Sequence, residues 1–203
     1  MKTPALALAA AVALTGIISA AQAEDGNWLV RGRIINVKPT NNGGETSIGG
    51  KPKAGSDTVP EVDVTYFATP NIGFELIAAT TEHKTQVARG TNADLGTVKL
   101  LPPTLTAQYH FTNLDKFKPY VGAGLTYAHF YDADHPGFGS VKYDDSVGVA
   151  LQAGVDYKLT DKIYLNADVK QIFVGTDVTV NDTITAKANL NPIVAGIGVG
   201  YRF

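Results

Sequence analysis

Charged and polar side chains recur at every second position in several separate stretches of this chain. Arg31 and Arg33, Asp63 and Thr65, Glu75, Gln108 and His110, Gln152, Asp156, Asn166 and Asp168, and Arg202 each stand between apolar, aromatic or glycine neighbours. Opposite charges spaced in this way do no catalysis by themselves. Buried in a narrow space, they persist only when they pair and hydrogen-bond with one another. The chemistry they imply is an interlocked polar plug built from Arg31, Arg33, Asp63, Glu75, Gln108, His110, Asp156, Asp168 and Arg202. His110 reads as a satisfied member of that cluster rather than as a pH sensor.

Other reactive constellations are sparse. An enzyme would need a nucleophile with a positioned base, or paired carboxylates. Ser47, Ser56, His83, His135, Asp144 and Asp145 are present, but no spacing joins them into a triad. His129, Asp132, Asp134 and His135 gather in one polar stretch without the spacing that fixes a metal's geometry, so they read as a solvated loop. No metal or cofactor is expected. The chain has no cysteine, which excludes disulfides and thiolate sites, and 17 Lys and Arg against 19 Asp and Glu argue against nucleic acid as a partner. Asn181-Asp182-Thr183 matches a glycosylation sequon, a frequent chance match.

The elements that must carry the plug are strands. From Ile193 to Phe203 the odd positions are Ile, Ala, Ile, Val, Tyr and Phe, and the even ones are Val, three glycines and Arg202. Bulky apolar residues on one face and small or polar ones on the other describe a wall between lipid and a lumen, with aromatics at the water interface. The same alternation starts at Trp28, Pro60, Ile72, Leu105, Val121, Ser146 and Ile163. The connections are alternately short, at Pro70-Asn71, 112–118 and Thr160-Asp161, and long, at 39–59, 82–96, 133–144 and 180–188. The expected fold is all-β: an eight-stranded antiparallel transmembrane β-barrel with short periplasmic turns and long extracellular loops. Trp28, Phe74, Phe111, Tyr157, Tyr201 and Phe203 are expected to form its periplasmic-side aromatic girdle. Residues 1–23 carry a positive end, an apolar run shorter than the roughly 20 residues of a helical span, and Ala21-Gln22-Ala23. They read as a cleaved secretory signal peptide, leaving 24–203 as the barrel.

Several stretches resemble the outer-membrane protein W (OmpW) family over essentially the whole of 24–203. They are VRGRIINVKP from Val30, TYFATPNIGFELIAATTEHK from Thr65, LLPPTLTAQYHF from Leu100, KPYVGAGLTY from Lys118, LQAGVDYKL from Leu151 and the terminal GYRF. The resemblance implies a small barrel through which small hydrophobic molecules cross the outer membrane passively, with sideways release into the bilayer. Small amino acids are a second cargo linked to the family.

The inward positions support that implication. Above the plug they become Ile35, Val37, Ile77, Ala128, Phe130, Ile172, Val174, Leu190 and Val194, an apolar upper lumen able to take a hydrophobic ligand. A ligand held there leaves more easily through the wall than through paired charges. Pro102 and Pro103, which offer no N–H to a ladder, mark the expected lateral gap. The alternative is a barrel that transports nothing and whose loops bind phage, bacteriocin or host surfaces. The expected partners are outer-membrane lipid, small hydrophobic ligands and, through Phe203, the barrel-assembly machinery, with the chain acting as a monomer.

Overall fold

The computed structural model describes residues 26–40, 47, 51–89, 91–134 and 140–203. Residues 1–23, read above as a signal peptide, lie outside the described residues, as does His135. Fourteen strands occur among the described residues. Eight form the barrel wall: β1 (Trp28–Lys38), β3 (Asp57–Phe67), β4 (Ile72–Ala79), β7 (Thr104–His110), β8 (Phe117–Asp134), β10 (Ser146–Lys158), β11 (Ile163–Phe173) and β14 (Ile193–Arg202). Each pairs antiparallel with its neighbours. The ring closes where β14 meets β1, from Leu29 opposite Arg202 to Lys38 opposite Ile193.

The two-residue period of the sequence is the reason for this wall. Along β1, Arg31, Arg33, Ile35 and Val37 are buried in the lumen, while Ile34 on the other face is 56% exposed. Leu105, Leu125, Val147 and Ile197 are likewise exposed, as lipid-facing residues must be. At the short-turn end, outward rings meet in pairs: Trp28 with Tyr66 at 4.8 Å, Tyr109 with Phe111 at 5.1 Å and Phe117 with Tyr157 at 5.0 Å between centroids. The short turns at this end are closed by side chains, since the amides of Ile72 and Ile163 donate to the hydroxyls of Thr69 and Thr160.

The long connections are where the sequence reading needs correcting, because they are not simple loops. They hold β2 (Lys51–Ala54), β5 (Thr81–Arg89), β6 (Thr91–Leu101), β9 (Val141–Tyr143), β12 (Gly175–Val180) and β13 (Ile184–Asn189). β5 and β6 form a hairpin that extends the wall along the top of β8, and β2 pairs with β5. β9, β12 and β13 make a separate small sheet with its own core of Val178, Val180 and Ala188. These strands alternate small and β-branched residues with charged ones, so they lack the apolar contrast of the lipid-facing strands. Asn181 and Asp182 both take positive φ, making the sequon match the tight turn between β12 and β13.

His83 anchors the β2–β5 extension. Its Nδ1 lies 2.7 Å from the carbonyl oxygen of Gly55, and its ring is buried. Burial lowers its pKa, against smaller opposing effects of the Gly55 carbonyl and Asp57. The folded ring therefore stays neutral where an opened chain would begin to take a proton, near pH 6.5. The extension is fully stable above that pH and loosens as the pH falls below it. Hydrogen exchange at the Gly55 amide, which donates to Lys84 at 2.8 Å, should quicken between pH 7.5 and 5.5 once intrinsic rates are corrected. His83→Gln should abolish that dependence.

Candidate functional site

Lower and middle lumen residues form one ion-pair network. Arg31 extends from β1 with Nε 3.1 Å from Asp63, Nη2 2.9 Å from Glu75 and Nη1 3.3 Å from Asp156. Two positions along, Arg33 meets Glu61 at 2.7 Å, Asp63 at 2.8 Å and Glu75 at 3.0 Å. The register explains these meetings, because Arg31 stands opposite Asp63 and Arg33 opposite Glu61 across the β1–β3 ladder. Asp63 meets both arginines as ion pairs, at 3.1 and 2.8 Å, rather than through well-aligned hydrogen bonds.

Neutral groups complete the network. Thr106 and Gln152 donate to Glu75 at 3.2 and 2.8 Å, and Gln152 also donates to Asp168 at 2.8 Å. Asn166 donates to Asp156 at 2.8 Å, and Tyr120 to Asp168 at 2.8 Å. His110 and Gln108 are linked at 2.9 Å, with the His110 ring stacked on Tyr120. Space for these side chains comes from glycines on facing strands. A Cβ at Gly198 would run into the Gly32 carbonyl and the Arg33 stem, and one at Gly154 would overlap the Tyr120 ring.

Eight of the nine sequence-predicted plug residues thus lie in this buried network, and Arg202 does not. Its guanidinium lies over Phe67 at 4.4 Å, with Nε donating to the Gly26 carbonyl at 3.0 Å. It lines a polar vestibule of about 510 Å³ at the short-turn mouth, together with Lys118, Lys158, Tyr164 and His110. The even-position rule gave the correct face but not the height, because Arg202 is the last residue of β14 and stands at the rim. Glu61, Lys170 and Tyr120 were missed. Lys170 reaches Glu61 at 3.2 Å and Asp168 at 2.8 Å. Both could have been found by parity: Glu61 lies two residues before Asp63, and Lys170 two after Asp168.

Above the network the lumen turns apolar. Ile35, Val37, Ala128, Ile172, Val174 and Val194 pack in one buried cluster with Leu100 and Ala150, and Phe130 and Leu190 lie against its edge. Ile77 joins Ile35, Leu100, Ile172 and Val194 around a cavity of about 40 Å³. Its floor is polar, formed by Glu61, Lys170, Thr104 and Thr126. Typical small-molecule pockets enclose roughly 300–1,000 Å³. Any ligand larger than a few water molecules must therefore displace side chains to fit.

The wall is interrupted beside this cavity. The β4–β7 ladder ends with Ile77 opposite Thr104, and the β5–β6 ladder starts with Thr81 opposite Leu100. No register pair joins Ala78, Ala79 and Thr80 to Leu101, Pro102 and Pro103. Ala79, Thr81, Pro102 and Thr104 border the cavity at this break. On the other side of the prolines the wall is continuous, because Tyr127 donates to the Pro103 carbonyl at 3.0 Å. Pro192 also lines the cavity, but its carbonyl accepts the Ile172 amide at 3.0 Å and closes the wall there.

The remaining reactive side chains have other partners. His129 lies 2.7 Å from Asp145, which also accepts from Tyr127 at 2.7 Å and from the Phe130 amide. The Ser47 hydroxyl accepts the Thr185 amide, and His83 is engaged by Gly55.

Comparison with protein families matches residues 24–203 to the OmpW family. The chain is 40% identical over 182 residues to the uncharacterized outer-membrane protein y4mB of Sinorhizobium fredii, covering 87% of this chain and 80% of that protein. It is 37% identical to outer membrane protein W of Escherichia coli over 96% of this chain and 97% of that one. Among solved structures, the crystal structure of OprG from Pseudomonas aeruginosa superimposes with a TM-score of 0.82 at 29% identity. That match covers 89% of this chain and 97% of OprG.

Glu75 is the test of the network, because both buried arginines and both neutral donors converge on it. Removing one partner from a buried charge network typically costs about 3–5 kcal/mol, since it strands the remaining charge. Glu75→Ala should lower unfolding stability by that order in a urea titration of the reconstituted barrel. Thr106→Val, which removes one neutral hydroxyl shared between Glu75 and Gln152 and leaves the charges paired, should cost only about 1 kcal/mol.

Proposed function

The chain belongs to the OmpW family of outer-membrane β-barrels, and on that premise we propose that it takes up small hydrophobic molecules through its apolar upper lumen and releases them sideways into the bilayer. The observation that carries this reading is the meeting of three features around one cavity. An apolar cluster lies over a floor of saturated ion pairs, and the wall ladder is broken between them beside Pro102 and Pro103. Downward passage would separate buried charges, at about 3–5 kcal/mol for each stranded partner. Sideways passage meets a stretch where no β-ladder has to open, so it is the cheaper route.

Ile35, Val37, Ile77, Ala128, Phe130, Ile172, Val174, Leu190 and Val194 then serve as the ligand-contacting surface, and the eight buried plug residues as the barrier beneath it. On the same reading residues 1–23 direct export and are removed, and the barrel sits as a monomer among outer-membrane lipids. Phe203 presents the C-terminal aromatic read by the assembly machinery. The small cavity favours a second reading, a filled barrel that transports nothing and whose extracellular strands bind phage, bacteriocin or host surfaces.

Uptake separates the two. Proteoliposomes or intact cells should accumulate a hydrophobic probe faster with the protein than without it, and a filled recognition barrel should give no difference. Pro102→Ala with Pro103→Val restores one ladder N–H at each position and should cut uptake several-fold while leaving the barrel folded. Unchanged uptake would place the exit elsewhere.

A further inference from the structure

We propose that the lumen floor sorts ligands by the sign of their charge, admitting neutral molecules and those with a donor head while refusing acidic amphiphiles of the same length. This rests on the uptake reading above and names the class of molecule that the upper lumen accepts.

Among the described residues, five buried carboxylates, Glu61, Asp63, Glu75, Asp156 and Asp168, share the network with three buried cations, Arg31, Arg33 and Lys170. Every cation already has at least two carboxylate partners. Arg31 meets Asp63, Glu75 and Asp156, Arg33 meets Glu61, Asp63 and Glu75, and Lys170 meets Glu61 and Asp168. None of the three stands without a carboxylate partner to attract a ligand's carboxylate. Protonating two of the five carboxylates would bring the sum to zero, and the floor turns positive only when three of them are protonated.

The layer that a ligand head would touch has the same character. Glu61 and Lys170 are the charged residues lining the apolar cavity, beside the hydroxyls of Thr81, Thr104 and Thr126. The Lys170 ammonium is held at 3.2 Å by Glu61 and at 2.8 Å by Asp168. A third carboxylate there would add like charge in a site with little water to screen it, whereas an amide, hydroxyl or ammonium head donates to carboxylates that are in excess. The basic groups of the vestibule, Arg202, Lys118, Lys158 and His110, lie on the far side of the network and do not line the cavity.

The test uses the full barrel in lipid nanodiscs and three probes of one chain length: decanamide, decylammonium and decanesulfonate, the last anionic at every working pH. The methyl resonances of Ile35, Ile172 and Val194 report occupancy of the lumen, with empty nanodiscs correcting for partition into lipid. Decanamide and decylammonium should shift those methyls at concentrations at least about tenfold below decanesulfonate, and Glu61→Gln should narrow the difference. If all three probes bind alike, or if decylammonium is refused as strongly as the sulfonate, charge sorting is overturned and the uptake reading stands. If no probe moves the methyls, the lumen is not a ligand site and both fall. Should Glu61→Gln fail to fold, the comparison of the three probes on the unaltered protein decides alone.

Discussion

Burying two arginines side by side inside a narrow barrel constrains nearly everything else in this molecule. An unpaired guanidinium in that space would be far too costly, so carboxylates must arrive from neighbouring walls at the same height. Register delivers two of them across the β1–β3 ladder, and Glu75, Asp156 and Asp168 come from β4, β10 and β11. In an eight-stranded barrel the interior is just wide enough for side chains to fill. Two long arginine stems on one strand therefore leave no volume for side chains on the next. That is why β14 presents glycine at 198 and 200, where a Cβ would meet the stems of Arg33 and Arg31. These glycines are conditions for the charges, not signs of a flexible strand.

The same constraint sets the division of the lumen by height. Where the arginines stop, at Arg33, the next inward residue of β1 is Ile35, and the facing residues turn to Ile172, Val194 and Ala128 within one layer. Lys170 is the last cation upward, and it bends back to Glu61 and Asp168, leaving the apolar layer above it without a partner to satisfy. The boundary between network and apolar cluster is thus one side chain thick. It falls beside the interrupted stretch of wall, so that the polar floor, the apolar cavity and the break share one height.

Strand period made the wall and its two faces legible in the sequence, because lipid outside and a packed lumen inside force the sharpest contrast a strand can carry. Eight of nine plug residues and all nine upper-lumen residues could be assigned by that contrast. It failed in two physical circumstances. At the end of β14 the face was correct but depth was not encoded, and Arg202 came out at the rim, stacked on Phe67. In the extracellular strands both faces meet water or polar neighbours, so Thr81, His83 and Thr85 are buried without looking apolar and the segment reads as a loop. Pairing distance was also invisible. Parity could have placed Glu61 and Lys170 inside, but only the fold shows that they close the floor.

The break in the wall follows from how β6 and β7 are joined. Both lie on β8, one above the other, so β8 sees a nearly continuous partner across Pro102 and Pro103. The opposite neighbour is not continuous: β4 ends at Ala79 and β5 begins at Thr81. With prolines on one side and a strand junction on the other, the two segments have neither the donors nor the register to pair. Extending a barrel by a hairpin on one of its walls requires such a junction somewhere. Placing both prolines there puts the weakest part of the wall at the level of the apolar cavity, whereas the Pro192 side, bridged by the Ile172 amide, stays shut. A wall weakened one layer lower would open onto ion pairs. Weakened at this height, it opens onto the apolar layer of Ile35, Ile172 and Val194.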